Sequence, residues 1–432
     1  MQQAKRITGE VEISKEIIAE VQKKVNNIPT FKEFIESSLD KNTTELLGIV
    51  LIGAISLNAS DIHIEPEEDS VQFRVRVDGM LHDVLEIDHK LYKALSSRIK
   101  LLSKLKLNVN DRPQDGRFSI VIAKDEIEIR TSVLPAEYGE SLVLRILNPK
   151  SLISLEELGL RKDLLEMFNE EIKKPNGMVI VTGPTGSGKT TTLYAFLKKI
   201  NKPEIKIITL EDPIEYHLDG ISQTQVDTKK DYDFAKGLRS IMRQDPDAVL
   251  VGEIRDLETA STALQAALTG HLVFTTLHTN DAAGTIARLQ ALGEKAINIS
   301  PAINLAIAQR LVRRVCQKCA VREKPSETEL KLIKDVLKNV PKEFYPELDS
   351  IKIARAKGCK YCNNTGYLGR ISIFEALKVD DEIEKFIPIS PSIVALRELA
   401  IKKGMILMRQ DGLIKVTQGI TTIEEVERVT ED

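Results

Sequence analysis

The hydrophobic pattern of the chain changes near Pro149. Before this residue, apolar and polar residues alternate at Val71 to Val77, Phe118 to Ile122 and Glu126 to Arg130, which predicts antiparallel strands. After it, short apolar runs alternate with helical patterns, as is typical of a parallel sheet buried on both faces. The strands predicted in this second part are Met178 to Thr182, Ile205 to Leu210, Ala248 to Val251 and Leu272 to Leu277.

These patterns predict an α/β protein with a smaller α+β domain before the main domain. We place an N-terminal helical arm at residues 1–44, the α+β domain at 45–150 and the main α/β domain, with a helical C-terminal part, at 155–432. The arm holds an amphipathic helical pattern that we expect to end at Pro29. This helix either packs on its own domain or serves as a docking arm for a partner. Its apolar positions are Ile17, Ile18, Val21, Val25 and Ile28.

The apolar segments and the net charge of the chain indicate its cellular compartment and its partners. The longest apolar run, Leu46 to Leu57, is far shorter than the roughly 20 residues that cross a bilayer, so it predicts a buried helix. The N-terminus lacks a signal-peptide core. We therefore expect a cytoplasmic protein that reaches a membrane through partners. The 64 acidic and 61 basic residues leave a net charge of −3, so we expect no direct nucleic-acid binding.

Residues 183–190 read GPTGSGKT and fit the phosphate-binding pattern G-x-x-x-x-G-K-[ST] in full. Glycines let backbone N–H groups surround a polyphosphate, and the following helix N-terminus adds favourable partial charge. Lys189 is expected to reach the β and γ phosphates of a nucleotide, and the Thr190 hydroxyl to bind Mg²⁺. A glycine-rich turn that matches by chance is the alternative. The predicted nucleotide-binding residues are Gly183, Pro184, Thr185, Gly186, Ser187, Gly188, Lys189, Thr190 and Thr191.

Two acidic clusters follow predicted strands, Ile208 to Tyr216 and Asp247 to Asp256. Because ligands bind at the carboxyl ends of strands in an open α/β sheet, both clusters can converge on the phosphate-binding loop. We assign Glu253 as the Walker B carboxylate, which acts on Mg²⁺ through water. A carboxylate of the first cluster would lie at the γ-phosphate, and a surface or capping role is the alternative for each of these acids. The acids of the first cluster are Glu211, Asp212 and Glu215.

Histidines and cysteines supply two further candidates. His271 and His278 bracket a predicted strand, so one of them could sense the γ-phosphate or bridge to a neighbouring domain, although a core or capping role fits the same spacing. Two C-x-x-C pairs suit a structural Zn²⁺ with four thiolate ligands. Four buried thiols or a redox pair are the alternatives. The predicted zinc ligands, within an insertion at 316–362, are Cys316, Cys319, Cys359 and Cys362.

The motifs together resemble the hexameric secretion ATPases that power type II secretion and type IV pilus assembly. This resemblance implies a RecA-like P-loop motor domain, a PAS-like N-terminal domain and a zinc-knuckle insertion. The paired cysteines favour an assembly ATPase over a retraction ATPase. The stretches that carry the resemblance are ASDIHIEP, RVRVDG, QDGR, GPTGSGKTTTLY, LEDPIEY, RQDPDAVLVGEIRD and TGHLVFTTLHT.

The resemblance also implies roles for individual residues. It places the general base at Glu215 and arginines from the smaller domain at the phosphates, where they would neutralise developing charge. His271 and His278 match the histidine box of the family. The residues implied in catalysis are Lys189, Glu215, Glu253, Arg130, Arg145, His271 and His278, with Arg117 a weaker candidate.

The predicted function is that of a hexameric motor using ATP and Mg²⁺. It would drive assembly of a type IV pilus or a type II secretion pseudopilus with an inner-membrane platform protein and cytoplasmic assembly proteins. One alternative is a DNA-translocating or conjugation-type ATPase, which the near-neutral charge and the cysteine pairs disfavour. Another is a scaffold that senses nucleotide without turnover, which the intact Lys189, Thr190, Glu215 and Glu253 disfavour.

Overall fold

The computed structural model describes residues 9–11, 13–122, 125–149, 152–348, 350–389 and 392–431. The chain divides into two compact units. The first contains the described residues of 1–151 together with 357–368, and the second contains those of 152–356 and 369–432. Both units combine helices with sheets, so the mixed α/β class predicted from the sequence is confirmed.

A seven-stranded sheet forms the base of the first unit. Its strands are β1 (Gly9–Val11), β2 (Asp61–Pro66), β3 (Val71–Val77), β4 (Met80–Ile87), β5 (Gln114–Ile122), β6 (Asp125–Ala136) and β7 (Gly139–Leu147). They lie in the order β1-β5-β6-β7-β2-β3-β4, and all neighbours are antiparallel except β1 and β5. Every second residue of β3 is buried, as its alternating sequence predicts.

Helices of the first unit share one hydrophobic core with this sheet. They are α1 (Lys15–Lys24), α2 (Ile28–Glu36), α3 (Thr43–Ser56) and α4 (His89–Leu102). The apolar run predicted to be a buried helix lies in α3, where every residue from Leu46 to Ala54 is buried. Val21 of α1 and Phe31 of α2 are also buried in this core, so the described helices of the arm pack within their own unit.

Pro29 begins a helix rather than ending one. The pattern was expected to stop there, but α1 has already ended and α2 starts at Ile28. Asn27 caps α2 by accepting a hydrogen bond from the Thr30 backbone N–H. Proline is tolerated in a first helical turn because its missing N–H would have no helical partner there.

A second seven-stranded sheet organises the second unit. The remaining strands of the chain are β8 (Gly177–Thr182), β9 (Ile207–Glu211), β10 (Ser222–Gln225), β11 (Ala248–Val251), β12 (Leu272–Leu277), β13 (Ile303–Val315), β14 (Val321–Glu323), β15 (Ile353–Arg355) and β16 (Tyr367–Lys378). The order is β10-β9-β11-β12-β8-β13-β16, and the neighbours from β10 to β13 pair in parallel. β14 and β15 form a separate antiparallel pair.

Helices cover both faces of the parallel sheet. Alternate residues of β8 prove this, because Met178 and Ile180 belong to one hydrophobic cluster while Val179 and Val181 belong to another. None of the described helices combines the length and apolar character needed to cross a bilayer. The helices are α5 (Lys162–Glu171), α6 (Lys189–Ile200), α7 (Phe234–Ile241), α8 (Leu257–Leu268), α9 (Gly284–Ala291), α10 (Ala296–Ile299), α11 (Glu327–Leu337), α12 (Asp381–Phe386), α13 (Ile393–Lys402), α14 (Met408–Thr417) and α15 (Ile423–Thr430).

Candidate functional site

The loop between β8 and α6 is shaped by its glycines. Gly183, Gly186 and Gly188 all have positive φ angles, which residues with a Cβ rarely adopt. A Cβ on Gly183 would lie 2.6 Å from the backbone oxygen of Gln309, and one on Gly188 would lie 2.8 Å from the Gln309 Nε2. The loop therefore presses against β13, and this contact leaves no room for larger residues at either position.

Lys189 folds back over this loop. Its Nζ donates hydrogen bonds to the backbone oxygens of Gly183, at 2.8 Å, and Pro184, at 3.0 Å. Burial lowers the pKa of Lys189, Arg310 adds to the lowering, and the carboxylates of Glu253 and Glu215 oppose it. The predicted acidic groups thus lie close enough to act electrostatically on the lysine ammonium.

The donor set of the loop fits a polyphosphate. The Ser187 hydroxyl oxygen is buried and has no hydrogen-bond partner among the described residues. Such an orphaned polar group inside a glycine-rich turn at a helix N-terminus is explained by an anionic ligand. Thr190 lies in the first turn of α6, beside Lys189, and remains partly exposed.

Glu253 and His278 meet at the same edge of the sheet. β11 ends at Val251 and its parallel neighbour β12 ends at Leu277, so both chains leave the sheet on the side of the loop. The Glu253 carboxylate accepts a 2.5 Å contact from Arg255 Nη2, and its other oxygen lies 3.7 Å from His278 Nε2. Glu253 is mostly buried, whereas Arg255 and His278 are exposed.

His271 is not brought to this edge. His271 precedes the first residue of β12, whereas the phosphate-binding loop lies beyond the last residue of this strand. At roughly 3.3 Å per strand residue, the two ends of β12 are about 20 Å apart. Its ring Nδ1 lies 3.2 Å from the Ala266 backbone oxygen. Within one chain, the two histidines therefore cannot act at the same point.

The three acids of the β9 end lie in different surroundings. Glu211 is the last residue of β9 and is buried, with its carboxylate accepting hydrogen bonds from Tyr194, Thr209 and Gln223. Asp212 is exposed and acts electrostatically on Arg255. Glu215 is half-buried and is the acid of this cluster that acts on Lys189.

Sequence reasoning missed three residues that hold the loop edge. The Thr182 hydroxyl donates to the Leu277 backbone oxygen at 3.1 Å and lies 2.8 Å from the Thr279 hydroxyl. Arg310 donates from Nη2 to the Asn280 backbone oxygen at 3.2 Å, next to the residues that follow His278. None of these residues belongs to the glycine-lysine motif, so the motif alone could not identify them.

The predicted arginines form a row on the sheet of the first unit. Arg117 on β5, Arg130 on β6 and Arg145 on β7 are cross-strand partners, so their side chains share one face. Arg130 Nε lies 3.3 Å from Glu128, and Arg145 Nε donates to Asp61 at 2.9 Å. These carboxylates fix two of the guanidinium groups within their own unit.

The four cysteine sulfurs lie within 4.8 Å of one another, as a tetrahedral metal site requires. The backbone N–H groups of Cys359 and Gly366 donate to the Cys362 sulfur at 3.2 and 3.3 Å, which suits an anionic thiolate. The surrounding sequence is basic and offsets part of that charge. The donor set fits Zn²⁺, with Cys316, Cys319, Cys359 and Cys362 as ligands.

Comparisons with known proteins agree with this geometry. Residues 37–428 match the model of the family described as type II/IV secretion system protein. The chain is 44% identical over 406 residues to the type II secretion system ATPase E of Vibrio cholerae, a match covering 94% of this chain and 78% of that protein. It is 43% identical to the type IV pilus assembly ATPase PilB of Thermus thermophilus, covering 98% of this chain but 46% of that protein.

A solved structure is also similar. The pilus retraction motor PilT with bound ADP aligns with a TM-score of 0.59 and 28% identity, covering 89% of this chain and 96% of that one.

Proposed function

The chain belongs to the type II/IV secretion system protein family, and we propose that it is a motor ATPase driving assembly of a type IV pilus or a type II secretion pseudopilus. The observation that carries this proposal is that Lys189 lies at the carboxyl edge of a parallel sheet, where the charges of Glu253 and Glu215 act on its ammonium. The assembly role is supported by two relatives that are 43–44% identical, a type II secretion system ATPase and a type IV pilus assembly ATPase.

Each residue at the loop edge has a proposed role with Mg-ATP as substrate. The loop 183–191 would hold the phosphates, with Lys189 turning its ammonium from its own backbone oxygens to the β and γ phosphates. Thr190 would ligate Mg²⁺ directly and Glu253 through water. When bound, Mg²⁺ neutralises charge on the phosphate oxygens. Glu215 would orient the attacking water as general base.

The arginine row and His278 would complete the site. The phosphate-binding loop and His278 belong to the proposed domain at 155–432, and the arginines belong to the proposed domain at 45–150. Arg130 and Arg145 would stabilise charge developing on the transferred phosphoryl group. His278, beside Glu253, is better placed than His271 to sense the γ-phosphate. His271 remains a predicted site residue, and its position favours a role away from the loop of its own chain.

The proposed assembly is a ring of six chains at the cytoplasmic face of the inner membrane. ATP-driven domain closure in each chain would shift its neighbour and act on a membrane platform protein. The four cysteines would hold Zn²⁺ in a structural role, since four thiolates leave no open position for a substrate. We propose no direct binding of nucleic acid.

A Lys189→Ala variant tests the active site. We expect ATP hydrolysis by the purified chain to fall to background, with an unchanged melting temperature, because the Lys189 ammonium donates to loop backbone oxygens rather than to core side chains among the described residues. Hydrolysis at the original rate would overturn the assignment. Lys198→Ala, at an exposed position in the last turn of the same helix, is the matched control and should retain full activity. A large, salt-sensitive stimulation by added DNA would favour the translocating alternative.

A further inference from the structure

We propose that Tyr194 and Gln223, both anchored on the buried Glu211 carboxylate, clamp Tyr216 through its ring and its backbone oxygen and thereby position Glu215 for catalysis. This inference rests on the proposed function, because it takes Glu215 as the general base. It assigns Tyr194, Gln223 and Glu211 as positioning residues, since none of them contacts the phosphate-binding loop through its side chain in the described structure.

The clamp begins with a carboxylate that is removed from solvent. Glu211 is 4% exposed at the end of β9. One of its oxygens accepts the Tyr194 hydroxyl, and the other accepts Thr209 Oγ1 at 2.5 Å and Gln223 Nε2 at 3.2 Å. A buried carboxylate that lacks such donors is strongly destabilising, so this set of donors is needed to keep Glu211 in place.

Two of these donors also hold Tyr216. Gln223 Nε2 donates to the Tyr216 backbone oxygen at 3.0 Å. The Tyr194 and Tyr216 rings meet edge to face, with their centroids 6.2 Å apart. The residue immediately after Glu215 is therefore held through both its backbone and its ring.

A third contact holds the residue that follows the segment 212–217. The Leu218 backbone N–H donates to Gln223 Oε1 at 2.8 Å, so one amide side chain joins Glu211, Tyr216 and Leu218. The segment 212–217 has no regular helix or strand of its own. Its geometry must come from such side-chain contacts, because no repeating backbone ladder supplies it.

Tyr194 links this segment to the phosphate-binding helix. It lies on α6, five positions after Lys189, and its ring is buried. Burial and the Glu211 carboxylate raise the pKa of Tyr194, and Glu215 is close enough to add to this effect. Because α6 begins at the phosphate-binding loop, one helix fixes the positions of both Lys189 and Tyr194. The distance between the base and the γ-phosphate is then fixed by the fold.

The test compares Tyr194→Phe with Tyr232→Phe in the full-length chain. Tyr232 is a matched control because its hydroxyl lies 3.2 Å from Thr224 on β10, beside Gln223 but outside the clamp. For Tyr194→Phe we expect kcat for ATP to fall by about 10- to 100-fold, since small misplacements of a catalytic group have effects of this size. Affinity for Mg-ATP should change less than about twofold, and Tyr232→Phe should behave as the original chain.

Hydrogen exchange supplies a second readout that does not depend on turnover. In Tyr194→Phe the amide protons of peptides covering 213–218 should exchange faster, while those of α6 should not change. Gln223→Ala should produce the same two effects, and it carries the test if Tyr194→Phe does not fold.

Four outcomes separate this inference from the proposed function. Inactive Glu215→Gln with slow Tyr194→Phe supports both. Inactive Glu215→Gln with fully active Tyr194→Phe overturns the clamp alone, as does a loss of nucleotide affinity equal to the loss in kcat. Fully active Glu215→Gln overturns the proposed base and the clamp with it.

Discussion

The ends of β9 and β11 look alike in sequence but differ in what their first carboxylate does. Each strand begins with apolar residues, and its first carboxylate lies at the last strand residue of β9 and two residues after the end of β11. At the end of β9, Glu211 is buried and its oxygens are occupied by three side-chain donors. At the end of β11, Glu253 faces Lys189, Arg255 and His278.

The difference shows how a strand end can build a site in two ways. Glu253 follows Gly252, which has no side chain, and its carboxylate can face the phosphate-binding loop. A Cβ on Gly252 would lie 3.3 Å from the Leu210 backbone oxygen and 3.4 Å from the Glu211 Cα, so the two strand ends lie side by side. Glu211 instead anchors the segment that carries Glu215 to the loop edge. Glu253 therefore faces the loop itself, whereas Glu211 holds the segment that carries Glu215.

The strongest test of this comparison removes the two acids assigned to catalysis. We expect Glu253→Gln and Glu215→Gln each to lower kcat by about 100-fold or more, because each loses a metal-directed or base function without losing volume. Steady-state ATP hydrolysis measures this effect. Asp212→Asn is the control from the same segment, since Asp212 is exposed, and it should retain most activity. Equal losses in all three variants would erase the distinction between the acids.

Glu211→Gln should give a smaller loss of kcat and a larger loss of stability. The Gln side chain of the variant keeps one acceptor oxygen, but its NH₂ group is itself a donor and cannot accept the hydrogen bonds that the second Glu211 oxygen accepts. We therefore expect the free energy of unfolding to fall by about 1–3 kcal/mol. Chemical denaturation measures the stability, and ATP hydrolysis measures kcat. A variant as stable as the original chain would contradict the anchoring role of Glu211.

The two ends of β12 extend the comparison to histidine. His278→Ala should lower kcat by about 10-fold, because His278 lies beside Glu253 at the loop edge. His271→Ala should stay within about twofold, since His271 contacts Ala266 at the opposite end of the strand. Parallel ATPase assays would check this. A larger effect for His271 would indicate that it acts on another chain of the assembly.

A carboxylate with no assigned role in catalysis, Glu425, gives the smallest expected effect on activity. Burial opposes ionisation of Glu425, but hydrogen bonds from Arg428 and Arg313 hold its pKa at about 2. Since this value lies below the ordinary 4.5, the ionised group stabilises the fold above about pH 4.5, and the contribution is lost as the pH falls toward 2. Glu425→Gln should therefore lower stability at pH 7 and flatten its decline in acid, with kcat unchanged. An unaltered decline would contradict the assignment.

Local patterns were sufficient for most of the fold. β11 and β12 have the predicted bounds, and β8 begins one residue earlier than predicted. Every residue of these three strands is buried because both faces of the sheet are covered, so their sequences are mostly apolar and the pattern is clear. Pro29 was misread because proline ends one helix and begins another equally well.

The contacts between distant segments could not be predicted. β9 was expected at Ile205 to Leu210 but spans Ile207–Glu211, and that shift puts Glu211 inside the strand rather than after it. Its main partner, Tyr194, comes from α6, and no spacing rule connects a helix residue to that carboxylate. Arg310 was missed for the same reason, since it reaches the loop from β13.

The most direct test of the account is a structure of the chain with Mg²⁺ and a non-hydrolysable ATP analogue. We predict the triphosphate on the loop 183–190 with Lys189 on its β and γ phosphates, the metal at Thr190 facing Glu253, and Glu215 one water from the γ-phosphate. A nucleotide bound elsewhere, or one with both carboxylates turned away from its metal and γ-phosphate, would contradict the account.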